Sequence, residues 1–155
     1  SQNLKPQTLN LKPYFMLQRI QTIWLLAASA AAFITLKLSF FSGNKYVDNI
    51  KTFEELNGMS HVILMILTVA LAVASLIIIF LYKDRKLQLK LTIAAFALSL
   101  LNLFVYYLQI KKFIPAEGKI SITAIVAIII PALILLAARA IWKDEQLIKS
   151  VDRLR

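Results

Sequence analysis

Val62-Ile-Leu-Met-Ile-Leu-Thr-Val-Ala-Leu-Ala-Val-Ala-Ser-Leu-Ile-Ile-Ile-Phe-Leu-Tyr82 is the apolar part of a longer charge-free run, Leu56–Tyr82. A hydrocarbon core of about 30 Å is crossed by about 20 helical residues. Within lipid, every backbone polar group must be satisfied inside the segment, which a helix achieves and a lone strand does not. Three further runs lie on either side of this one. Ile20–Leu36 is charge-free, and Leu38–Phe41 extends it past Lys37; Leu91–Ile110 and Ile120–Ala138 follow. The pattern predicts an all-α integral membrane four-helix bundle, with spans at about 20–41, 62–82, 91–110 and 120–141.

The composition agrees with a bilayer as solvent. Of 155 residues, 59% are hydrophobic and 17% charged, against about 45–50% and about 25% in a soluble domain. There is no cysteine, which excludes disulfides, thiolate metal sites and thiol redox chemistry. His61 is the one histidine, and three glycines leave no phosphate-cradling loop. All eight acids (Asp48, Glu54, Glu55, Asp84, Glu117, Asp144, Glu145 and Asp152) fall outside the apolar runs. Proton-coupled transport, intramembrane aspartic proteolysis and Mg²⁺-dependent phosphotransfer therefore lack their parts. The expectation is a protein that is not an enzyme and carries no cofactor or metal.

The net charge is +10, and the basic residues are unevenly placed. Twelve flank one end of the spans: Lys5, Lys12 and Arg19; Lys83, Arg85, Lys86 and Lys90; Arg139, Lys143, Lys149, Arg153 and Arg155. Lys37, Lys45, Lys51, Lys111, Lys112 and Lys119 make six at the other. The positive-inside rule puts both termini in the cytoplasm, and nucleic acid is not needed to explain the charge. Aromatic belts are expected from Trp24 and Trp142 inside and from Phe40, Phe41, Tyr106 and Tyr107 outside. The run Ala28–Ser29–Ala30 also permits a cleaved leader, but the apolar stretch continues past it. Residues 1–15, with prolines at Pro6 and Pro13, read as a flexible extension without stable helix, and Met16 as a natural start.

The connections order the spans. Lys83–Lys90 makes a tight antiparallel hairpin of spans two and three, and Lys111–Lys119 turns at Pro115 and Gly118. In the longest loop, Ser42–Asn57, Thr52-Phe53-Glu54-Glu55 has the spacing of a capping box and predicts a short helix. Either it caps the bundle externally or it leads into span two. His61 reads as an interfacial or hydrogen-bonded lead-in residue.

Small and polar residues recur at helical spacing inside the spans: the run Ala27–Ala32; Thr68, Ala72 and Ser75; Ala95, Ser99, Asn102 and Tyr106; Ala124, Ala127, Pro131 and Ala138. One reading is a polar intramembrane site at Ser75, Asn102 and Pro131; the other is ordinary interhelical packing, in which hydrogen bonds average about 0.6 kcal/mol. Pro131 should kink its helix. In the tail, residues 142–155, Leu147, Ile148, Val151 and Leu154 form an apolar stripe beside a Glu145/Lys149 pair, giving an amphipathic helix that continues span four, lies on the membrane or docks a partner.

Met-Leu-Gln-Arg-Ile-Gln-Thr-Ile-Trp-Leu-Leu at 16–26 and Ala-Arg-Ala-Ile-Trp-Lys-Asp-Glu-Gln-Leu-Ile-Lys-Ser-Val-Asp-Arg-Leu-Arg at 138–155 resemble the two ends of a family of four-span membrane proteins from Bacteroidota, domain of unknown function four-two-nine-three. The resemblance implies a multi-pass protein of a bacterial inner membrane and brings no activity with it. Both segments fall on the expected cytoplasmic side. The expectation is therefore a non-enzymatic accessory or scaffold subunit. Its candidate partner surface is Gln18, Arg19, Gln21, Lys143, Asp144, Glu145, Asp152 and Arg153. The alternative is a binder of a lipid or small apolar molecule between the helices. Oligomeric state is left open.

Overall fold

A computed structural model describes residues 12–154, with side chains from Ile20 onward. Four helices and three short strands are found among these residues: α1 (Lys12–Thr35), β1 (Phe41–Val47), β2 (Ile50–Leu56), α2 (Val62–Phe80), α3 (Arg85–Ile110), β3 (Lys119–Ile120) and α4 (Ala124–Arg153). The helices pack in a closed ring, each on its neighbours in sequence and α4 on α1. The start of α1 therefore lies beside the end of α4, at what is here termed the terminal end; the strands sit at the opposite, hairpin end.

Three helices, α2, α3 and α4, are long and apolar enough to cross a membrane. The described apolar part of α1, Ile20–Thr35, is shorter, about 24 Å. The expected extension to Phe41 does not occur. The helix stops at Thr35, whose hydroxyl turns back to the Ala32 carbonyl at 2.8 Å while its own carbonyl accepts the Gly58 N–H at 2.9 Å. Phe41 begins β1 instead. At its other end α1 includes Pro13, in the first turn, where the missing N–H costs no bond; the expected lack of helix before Met16 therefore fails for residues 12–15, and residues 1–11 lie outside the described residues.

The predicted helix at Thr52 is a strand. β1 and β2 form an antiparallel hairpin joined by Asp48 and Asn49, both at positive φ (51° and 63°). That is the backbone a two-residue primed turn demands, and Asp and Asn are among the residues that tolerate it. The Thr52 hydroxyl accordingly bonds the cross-strand Lys45 carbonyl at 3.3 Å, not a helix N–H. β3 adds to the other side of β1, in the order β2-β1-β3. The 111–123 connection is pulled into this cap, so α4 starts at Ala124 and not at 120. The α2–α3 turn is shorter than expected because Asp84 caps α3, its carboxylate accepting the Leu87 N–H at 3.2 Å; Arg85, Lys86 and Lys90 therefore lie on α3 itself.

Burial follows the small-residue faces. Leu25, Ala28 and Ala32 of α1, Leu71, Ala72 and Ile78 of α2, Ala95 of α3 and Ile130, Ile134 and Ala137 of α4 form the main core. Ala137, rather than the expected Ala138, takes the interior position. A second cluster under the sheet joins Phe41, Leu56, Leu64, Tyr106 and Phe113. Phe41 and Tyr106 are therefore interior residues and not part of an aromatic belt; Tyr106 stacks on Phe40 at 4.5 Å. α4 runs unbroken through Pro131 to Arg153, so the tail continues the fourth helix. Its length, about 45 Å, exceeds what a bilayer core requires.

Candidate functional site

At the terminal end three helices converge on one carboxylate. Asp144 lies on α4 in line with Ala137, Ile141 and half-buried Ile148, spaced by three or four residues, and so shares their inward face. It is 1% exposed. The guanidinium of Arg85, from the first turn of α3, pairs with its Oδ2. Gln21 of α1, itself buried, donates Nε2 to the same oxygen at 3.3 Å and to the Ala140 carbonyl at 3.3 Å. Asp144 Oδ1 has no partner among the described residues. One turn deeper, Gln88 of α3 donates to the Ile78 carbonyl at 3.0 Å, near the free C-terminal end of α2. The two glutamines and the ion pair thus tie all four helices together at this end.

Nearer the middle, Asn102 and Thr68 exchange long contacts of 3.3 and 3.5 Å, both residues being buried. Ser29 donates to the Ala72 carbonyl at 3.0 Å across α1 and α2. Ser75 turns back to the Leu71 carbonyl of its own helix at 2.9 Å, and Pro131 is buried beside core residues Ile130 and Ile134. Ser75, Asn102 and Pro131 are each interior, yet each polar group finds a different partner. His61 caps α2, its Nδ1 accepting the Ile63 N–H at 3.3 Å. Among the described residues no group of three His, Cys, Asp or Glu is arranged to hold a metal ion.

The eight candidate partner-surface residues separate. Gln21 and Asp144 face inward and are part of the clamp, which corrects their assignment to an exposed surface. The side chains of Gln18 and Arg19 lie outside the described residues. Lys143, Asp152 and Arg153 are exposed, and Glu145 pairs with Lys149 at 2.9 Å. Along the same segment Leu147, Val151 and Leu154 remain 44%, 39% and 88% exposed. With 100° per residue, these three occupy one flank of α4, while Glu145, Lys149 and Asp152 occupy the opposite flank. Residue patterning alone does not reveal the clamp, since Asp144 sits among the mixed charges of the tail. Its position on the extended Ala137–Ile141–Ile148 stripe was the available signal.

The class defined by these features is a mostly helical protein with three membrane-length apolar helices and a small extramembrane-type sheet, the composition of a membrane protein. The chain belongs to the family described as Domain of unknown function (DUF4293), whose model matches residues 17–154. No curated protein and no solved structure matches it.

Proposed function

We propose that this protein is a multi-pass scaffold or accessory subunit of a bacterial inner membrane, non-enzymatic, presenting the end of α4 to a protein partner on the cytoplasmic side. The observation that carries the reading is the continuity of α4 past the apolar helices, braced at Asp144 by Arg85 and Gln21. Ordering a tail only upon binding costs affinity, whereas a helix already fixed in place presents its face at no such cost. The exposed row Leu147, Val151 and Leu154 supplies apolar area, and exposed Lys143 adds a positive charge at its edge. The cytoplasmic assignment is supported by the twelve-to-six excess, counted in the sequence, of basic residues in the segments on the termini's side of the spans.

Deleting residues 147–155 from the full-length protein spares Asp144 and so separates docking from folding. A partner recovered with the intact protein from mildly solubilised membranes should be lost with the shortened chain, while the shortened chain stays folded. Recovery of the same partner with both chains would contradict the proposal. For orientation, a cysteine placed at the hairpin turn (V47C) should react with a membrane-impermeant thiol reagent added outside cells; protection there would invert the topology.

A further inference from the structure

Between α2 and α3 an apolar groove of about 400 Å³ opens toward the outside of the helix ring, lined by Ala74, Ile77, Ile78, Leu91, Ala94, Ala95 and Leu98. It exists because three alanines withhold side-chain volume where the neighbouring Ile77 and Leu98 stand up as walls. Its lining on α3, residues 91–98, covers about 10 Å of helix. A space of this volume over that length is narrower than another helix, which is 10–12 Å across. Gln88 bonds the carbonyl of Ile78, a lining residue, and so holds the two helices together at the groove's terminal end.

The groove is continued by charge. Lys86, Lys90, Ala94 and Leu98 are spaced by four and form one row on α3. Side chains of a helix tilt toward its N-terminus, which for α3 is the terminal end. The two ammonium groups therefore stand between the groove and the membrane surface, where lysines snorkel. Lys86 and Lys90 are exposed, as is Lys83 on the preceding turn. None of the three enters an ion pair or hydrogen bond among the described residues. The nearby acid and arginine are already used, Asp84 as the α3 cap and Arg85 on Asp144.

We infer that this groove binds one anionic phospholipid, an acyl chain lying against Ala74, Ala94 and Ala95 and the phosphate held by Lys86 and Lys90. The apolar slot selects a chain, the cations select a negative headgroup, and their shared row fixes both to one molecule. This differs from a lipid lodged inside the helix ring near Asn102 and Pro131, where Asn102 and Ser75 are already partnered.

The test uses the full-length protein in nanodiscs of phosphatidylcholine with a minority of phosphatidylglycerol, released into native mass spectrometry to count retained lipids. The wild-type chain should retain phosphatidylglycerol over phosphatidylcholine. K86A/K90A should lower that retention by at least about fivefold, the size expected for losing even one lysine's attraction to an anionic surface. A94F, which fills the slot and leaves every charge, should lower it comparably. Unchanged retention in K86A/K90A overturns the inference. So does loss in K86A/K90A with full retention in A94F, because that is diffuse attraction to a basic surface without a seat for the chain. Should A94F fail to fold, phosphatidylglycerol with a photoreactive acyl chain decides on the wild-type protein: adducts should map to residues 91–98, and adducts elsewhere only would overturn it.

Discussion

Asp144 places a negative charge on a helix face otherwise occupied by Ala137, Ile141 and Ile148. It is tolerated there because Arg85 and Gln21 both reach one of its oxygens. Removing one partner of a buried pair leaves the other uncompensated, which costs about 3–5 kcal/mol, whereas replacing both by apolar groups is often neutral. Losing Arg85 strands a carboxylate that is 1% exposed, whereas losing Asp144 strands a guanidinium that keeps 23% exposure and can be hydrated, so the loss of Asp144 belongs at the low end of that range. We therefore expect Asp144→Ala and Arg85→Ala each to destabilise the protein strongly in detergent unfolding, with R85A the larger, and the Asp144→Leu/Arg85→Met pair to recover most of the loss. Additive effects in that cycle would refute a coupled pair. Asn102 should behave differently. Its contacts with Thr68 are long, and interhelical bonds in membranes average about 0.6 kcal/mol; Asn102→Leu should change stability by less than about 1 kcal/mol. At this scale the sequence located the interior polar residues well, because small and polar types at three-to-four spacing are legible in one dimension. It did not reveal their partners. Arg85 and Asp144 are far apart in sequence and each looked like an ordinary basic or mixed-charge flank.

The hairpin shows why element assignments failed where they did. Thr52 followed by Glu55 satisfies the spacing of a helix cap, but the segment's Ile, Thr and Phe favour a pleated surface, and Asp48-Asn49 closes it on β1. A capping box is four residues of local evidence; pairing across seven registered positions outweighs it. Close backbone approach then becomes necessary. A Cβ on Gly43 would stand 2.8 Å from Gly118 Cα, backbone against backbone. Gly43→Ala should therefore cost about 1–3 kcal/mol, read as faster amide exchange in 41–56 while the helices keep their protection; no change in the hairpin would mean that the sheet is not packed on the 111–123 connection. The same cap is tethered by Lys51, which bonds Glu117, with Asn44 donating to the same carboxylate at 2.8 Å. The Lys51 hydrogen bond, then that of Asn44, holds Glu117 below its ordinary 4.5, and the Glu117 bond raises Lys51 above 10.5. The contribution of Glu117 is thus present above pH 4.5 and lost as pH falls through its lowered value; that of Lys51 is present below 10.5 and lost as pH rises through its raised value. Hairpin protection, corrected for intrinsic exchange, should be level between these limits and fall at the acid end. Glu117→Gln should remove the acid-side fall; its persistence would place the sensitive group elsewhere.

At the scale of the molecule, four apolar runs gave four helices, and their boundaries moved wherever a loop turned out to be built rather than flexible. α1 ends early because Gly58 and the sheet take over at Thr35, and α4 begins late because β3 joins that sheet. The tail is an extension of α4, which periodicity suggested but could not separate from a helix lying on the membrane. The result is a ring of helices clamped at one end by a buried ion pair and capped at the other by a sheet, with the exposed apolar flank of α4 projecting beyond the clamp. The central claim is that this flank meets a protein partner. It is tested most directly by a photo-crosslinking amino acid placed in the full-length protein in living cells, at Val151 on the apolar flank and at Lys149 on the charged one. The account predicts a discrete protein adduct from position 151 and none from 149. Adducts from neither position, or equally from both, would contradict it.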